Sequence, residues 1–208
     1  MDAAWITDLA NSVWLLPVVF ALVVADAFLV IVPSESAVVA LGTLWASTGA
    51  PPIWAVVLVA AAGAIVGDSV CFCIGRRVGT ERWAWQRRGR VKAALGRAAS
   101  LVEHRTALLV FTARYVPFAR IAVNLTAGAS ALPYRRYLPL SAAAGLAWAI
   151  YNVTIGALVG NALSDAPLLA IPISIIIAVL IGLVLDRIIS KRVIKSGERP
   201  PAGPESGR

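Results

Sequence analysis

The chain has 208 residues, 59% of them hydrophobic and 14% charged, with a mean hydropathy of +0.80 and a net charge of +8. That composition excludes an ordinary soluble domain and makes lipid the surrounding solvent. The charge is not a nucleic-acid footprint, because its distribution is that of a membrane protein with a fixed orientation. Residues 1–75 hold no Lys or Arg, nine lie between positions 76 and 105, two are Arg135 and Arg136, and six follow position 186. The positive-inside rule places these three groups on the cytoplasmic side.

In chain order, the first apolar run is 13–32, and it is expected to be retained, since Met1 and Asp2 open the sequence without a positive leader region. Pro33, Ser34 and Glu35 interrupt it, and the apolar stretch 36–47 is about 18 Å long as a helix, too short to cross. Residues 13–48 therefore read as a re-entrant hairpin entering from outside with its tip at Pro33 to Glu35. The competing reading makes 13–32 a complete crossing with Glu35 at the interface. Residues 53–75 cross from outside to inside, ending at Arg76. The segment 80–105 is too basic to insert, but Val91, Ala94, Leu95, Ala98, Leu101 and Val102 give it one apolar face. It reads as a cytoplasmic in-plane amphipathic helix with Trp83 and Trp85 as interfacial anchors.

Between the basic groups at 105 and 135 the chain must leave the cytoplasm and return, yet 106–132 is too short for two crossings. It reads as a second re-entrant hairpin. Residues 138–160 then cross outward, Ser164 and Asp165 turn outside, 167–186 cross back, and 191–208 form a disordered basic cytoplasmic tail. The expected fold is an all-α membrane domain over residues 1–190. It is an inverted repeat of a re-entrant hairpin plus a transmembrane helix, with an additional C-terminal transmembrane helix. In such architectures broken backbone is tolerable only where it is buried in protein or lines a polar cavity.

Five ionisable residues fall inside apolar sequence: Asp26, Glu35, Asp68, Arg114 and Arg120. Each costs about 2.5 kcal/mol or more in hydrocarbon if unpaired, so each needs a partner. Arg114 and Arg120 flank Pro117 in residues 111–120, FTARYVPFAR. On one continuous helix they would point about 120° apart, whereas across a hairpin tip they can converge. Two guanidiniums beside a helix N-terminus make an anion site matched to phosphate. The alternative is that they only pair with Asp26 and Glu35 to hold the hairpins together. Ser34 can cap the second arm with Glu35 at its positive end, while Asp26 and Glu35 could exchange protons beside the arginines. Asp68 lies about two turns before Arg76, so a structural pairing with that snorkelling side chain stands beside a transport role. Asn124 and Asn152 read as interhelical hydrogen-bonding groups. Cys71 and Cys73 diverge on a helix and read as small packing residues. His104 is the only histidine and is read as a solvated loop residue, so a metal site is poorly supported, a histidine-dependent hydrolase is the weaker reading, and no cofactor is expected.

These residues form a pattern that resembles the DedA family, also called SNARE-associated or VTT-domain membrane proteins. Its parts are Asp26 followed by Pro33-Ser34-Glu35; Gly67-Asp68-Ser69 followed by the glycine-bounded basic turn 75–79; and the Arg-Tyr-x-Pro-x-x-Arg core of Arg114, Tyr115, Pro117 and Arg120. The last continues through Asn124, Gly128, Tyr134, Gly145 and Trp148. The resemblance implies a transporter of the bacterial plasma (inner) membrane, multi-pass with a cytoplasmic C-terminus. It further implies that a polyprenyl phosphate such as undecaprenyl phosphate is returned to the cytoplasmic leaflet, driven by the proton motive force. Arg114 and Arg120 would then bind the phosphate, and Asp26 and Glu35 would couple protons. Asp68, Ser34, Asn124 and Tyr115 are secondary candidates. The alternatives are a proton-coupled transporter of ions or small molecules and a lipid-phosphate hydrolase.

Overall fold

The structure, a computed structural model, describes residues 10–29, 34–79, 86–115, 118–130 and 132–162, together with 172–173, 176–177 and 180. Among these residues it is all-helical. The helices are α1 (Leu15–Asp26), α2 (Ser34–Thr48), α3 (Ile53–Val78), α4 (Gly89–His104), α5 (Thr106–Thr112), α6 (Ala119–Ala129) and α7 (Tyr134–Ala162), with a 3-10 turn, Ala113–Tyr115, after α5. The C-terminal segment 167–186, the tail 191–208, and the proposed anchors Trp83 and Trp85 lie outside the described residues or nearly so.

Among the described residues, α3, with 26 residues, and α7, with 29, are the helices long and apolar enough to cross a bilayer. At 1.5 Å per residue each exceeds the roughly 30 Å hydrocarbon core. By contrast α1 has 12 residues, about 18 Å, and ends at Asp26 rather than running on to position 32. The long helices also outrun the apolar runs that announce them. Arg76 and Arg77 form the last turn of α3, where basic side chains favour the negative helix end, and Gly79, at φ 65°, stops it by returning its N–H to the Gly75 carbonyl. Helix α4 is amphipathic along a narrower stripe than its apolar residues allow. Val91, Leu95 and Ala98 are partly covered and Val102 is buried, while Ala94 and Leu101 face outward.

The packing is reciprocal. Helix α2, in the first half of the chain, lies along α7 of the second half, α6 of the second half lies along α3 of the first, and α3 and α7 pack on each other. Both crossings are glycine contacts in which backbone meets backbone. A side chain at Gly42 would run into the Val153 carbonyl, and one at Gly156 into that of Val39. A side chain at Gly128 would run into the Phe72 carbonyl, and one at Gly75 into that of Leu125. The register is the same at both: one helical turn separates Val39 from Gly42 and Leu125 from Gly128, and one turn separates Val153 from Gly156 and Phe72 from Gly75. Close approach of small residues is how helices associate when lipid supplies no hydrophobic drive between them. At the first crossing Thr43 Oγ1 also donates toward the Gly156 carbonyl, 3.1 Å away.

Valines, alanines and Trp148 fill the space where α1, α2, α3 and α7 meet. Phe72, Val110, Ala127, Tyr137 and Ala144 fill it where α3, α5, α6 and α7 meet. The outward faces of the two long helices carry Val66, Val70, Ile74, Leu146, Ile150 and Leu158, all exposed, as a lipid-facing surface requires.

Candidate functional site

The glycine contact between α6 and α3 sets up the polar centre. Arg120, Asn124 and Gly128 recur at four-residue spacing and share one face of α6, while Asp68, Phe72 and Gly75 share one face of α3. With the Gly128 and Gly75 backbones in contact, the side chains one and two turns away are brought together in the protein interior. Gly67 does the same for α1, since a side chain there would meet Ala27, the residue after Asp26.

Asp68 is the hub. Its Oδ2 accepts from Arg114 Nη1 at 2.8 Å and from Ser141 Oγ at 3.1 Å. Its Oδ1 accepts from Asn124 Nδ2 at 2.9 Å and lies 3.3 Å from Arg120 Nε. Arg120 also donates through Nη1 to Asp26 Oδ2 at 3.1 Å, so this one guanidinium joins α6 to both α1 and α3. The Tyr137 hydroxyl sits 2.9 Å from Asn124 Oδ1 and 3.3 Å from the Asp68 carbonyl, fixing the asparagine from its other side. The Asp68 and Arg114 side chains are each 2% exposed, those of Arg120 and Asp26 12% and 16%. The centre is thus sealed at Asp68 and more open toward Asp26. The Arg114 guanidinium lies over the Trp148 ring, 5.3 Å from its centroid, a cation–π contact in a dry setting.

Two guanidiniums and two carboxylates balance in charge, but not in hydrogen bonds. Arg114 Nε and Nη2, Arg120 Nη2 and Ser34 Oγ are buried with no partner among the described residues. Unpaired guanidinium donors in a low-dielectric interior are costly. Glu35 stands at the edge: its side chain is exposed, beside Trp148 and within electrostatic range of Asp26, Arg120 and Arg114. Tyr115 closes the 3-10 turn, and its side chain, like Pro117 and Pro33, is outside the described residues. Among the described residues there is no cluster of His, Cys, Asp and Glu suited to a metal.

Three sequence expectations are corrected. Asp68 does not pair with Arg76, which donates instead to the Leu132 carbonyl and lies over the Phe72 ring. The reason is direction: Arg76 projects from the exposed end of α3, whereas Asp68 faces α6. Arg114 pairs with Asp68 and not with Glu35. Asn152 bonds within its own helix, to the Trp148 carbonyl, rather than across helices. Ser141, Tyr137 and Trp148 were not singled out as site residues. Their signal was present as an i, i+4 polar pair on an apolar helix, Tyr137 and Ser141, followed one heptad later by an aromatic.

A family model for the VTT domain matches residues 32–158. The chain belongs to the VTT-domain, or DedA, family. The matched region holds every member of the network except Asp26. Among curated relatives, the inner membrane protein YohD of Escherichia coli (strain K12) is 34% identical over 101 residues, which is 49% of this chain and 52% of the relative. The alignment spans about half the length of each. No solved structure matches the chain. The two long apolar helices fit a membrane protein, as the name of that relative describes it.

Proposed function

We propose that this DedA protein moves a polyprenyl phosphate carrier lipid, such as undecaprenyl phosphate, toward the cytoplasmic leaflet, and that protons accompany it. The observation that carries the reading is the set of unpartnered donors on Arg114 and Arg120, buried beside two carboxylates that already neutralise the guanidinium charge. A phosphate monoester is the membrane anion that guanidinium forks fit in geometry and charge. Its arrival adds negative charge to a balanced centre, and protonation of a carboxylate restores the balance. Asp26 and Glu35, on the open side, are the groups placed to take that proton. Asp68, sealed and multiply bonded, holds both arginines in place.

The reciprocal glycine crossings support an inverted-repeat architecture in which α1–α2 and α5–α6 are re-entrant arms and α3 and α7 the spans. In such a frame the site lies between repeats, and alternating access is a rocking of one against the other. The lipid tail stays in the bilayer while the phosphate passes the arginines. The same reading puts the N-terminus outside and the basic tail inside.

The test is purified protein in liposomes with labelled polyprenyl phosphate in one leaflet. Wild type is expected to redistribute the label without releasing phosphate, and Arg114→Gln to abolish redistribution. Equal redistribution by both proteins overturns the site assignment. Proton flux that is indifferent to the lipid would favour an ion transporter, and released inorganic phosphate a hydrolase.

A further inference from the structure

A second feature of α3 lies outside the network. Ile65, Val66, Ser69, Val70, Cys73, Ile74 and Arg77 form a stripe along the helix, and with Tyr134 of α7 they line an open groove of about 450 Å³. Its walls are mostly aliphatic, as expected of a lipid-facing surface, but two details are not. The Ser69 and Tyr134 hydroxyls, 2.9 Å apart, form an exposed polar pair within the groove. Arg77, in the last turn of α3, lines the end of the groove, and Arg135 and Arg136 follow Tyr134 in the first turn of α7.

We propose that this groove binds an anionic phospholipid of the surrounding membrane, held in place rather than transported. One acyl chain lies along Ile65, Val66, Val70 and Ile74, the Ser69 and Tyr134 hydroxyls meet the ester region, and the phosphate meets Arg77. The charge at the groove's end selects an anionic over a zwitterionic headgroup, as basic pockets between helices at the membrane face do. The occupant also touches the transport site at one remove. Tyr134 packs on Phe72, whose ring stacks on Tyr137 with centroids 4.5 Å apart, and the Tyr137 hydroxyl holds Asn124 and Asp68. This site does not depend on what the arginine centre carries.

Cys73, exposed in the groove, reports occupancy, while Cys71 is buried. The experiment measures the rate of maleimide labelling of Cys73 in full-length detergent-solubilised protein, with added phosphatidylglycerol or phosphatidylcholine. Phosphatidylglycerol is expected to slow labelling by about fivefold more than phosphatidylcholine, the preference one cation at a headgroup gives. Arg77→Gln should erase that difference. Arg77 is exposed at a helix end, and Tyr134→Phe, which leaves Arg77 and its own contacts in place, provides a second, milder loss. Equal protection by both lipids overturns the proposal, as does a phosphatidylglycerol effect unchanged in Arg77→Gln. Slow labelling without any lipid would also overturn it, since the groove would then be covered by a second copy or by the chain's own C-terminal segment.

Discussion

At the scale of single residues, the centre is ruled by the cost of an unpaired buried charge. Asp68 and Arg114 are both sealed from solvent and bonded to each other, so removing either leaves its partner uncompensated. Such truncations typically cost about 3–5 kcal/mol. Asp68→Ala is therefore expected to lower the melting temperature in detergent far more than Asp26→Ala, because Asp26 is partly exposed and Arg120 retains Asp68. A melt in which the two variants are indistinguishable would remove Asp68 from its place as hub. Tyr137→Phe leaves the Asn124 carbonyl oxygen without its hydroxyl and is expected to cost about 1–3 kcal/mol. Transport separates the same residues in another way. Arg114→Lys keeps the charge and loses the fork, so it should retain much of the stability while losing most lipid movement.

At the scale of elements, the two glycine crossings hold the fold in register. Gly128→Val places a branched side chain against the Phe72 carbonyl, and α6 cannot retreat without withdrawing Arg120 and Asn124 from Asp68. The expected outcome is loss of folded protein on size-exclusion chromatography, matched by Gly156→Val at the equivalent crossing. A milder probe is Thr43→Val, which removes a hydrogen bond to the Gly156 carbonyl and is expected to cost about 0.6–1.7 kcal/mol, read from thermal unfolding. Helix α1 illustrates how a sequence misleads on length. The apolar run to position 32 is long enough to cross, yet the helix stops at Asp26, where the carboxylate turns to Arg120.

At the scale of the whole molecule, two glycine crossings of matching register carry unequal charge. One turn before Phe72 stands Asp68, and one turn before its counterpart Val153 stands Ala149. Beside Leu125 stands Asn124, and beside its counterpart Val39 stands Val38. The polar centre thus occupies one of two equivalent crossings, and the other is packed with apolar residues. With its open side toward Asp26, this arrangement predicts a dependence on proton supply. Acidifying the compartment that faces Asp26 should speed polyprenyl phosphate movement in liposomes by the wild-type protein. Asp26→Asn should move it slowly and with no response to the gradient.

What the sequence determined by itself follows from composition and periodicity. Lipid as solvent, two long apolar helices, an amphipathic segment between them and five charges inside apolar sequence are all local properties, legible from hydropathy and from the cost of burying charge. The family was legible too, because its motifs are contiguous. Only the tertiary structure decided which charges meet. For Asp68 the sequence leaves open a pairing with Arg76, its neighbour on the same helix, and a role in transport, whereas the contacts it makes are to arginines and an asparagine some fifty residues away in sequence. Distance along the chain says nothing about those contacts. They are set by the close approach of glycine backbones at Gly75 and Gly128, and that approach exists only once the two halves have packed on each other.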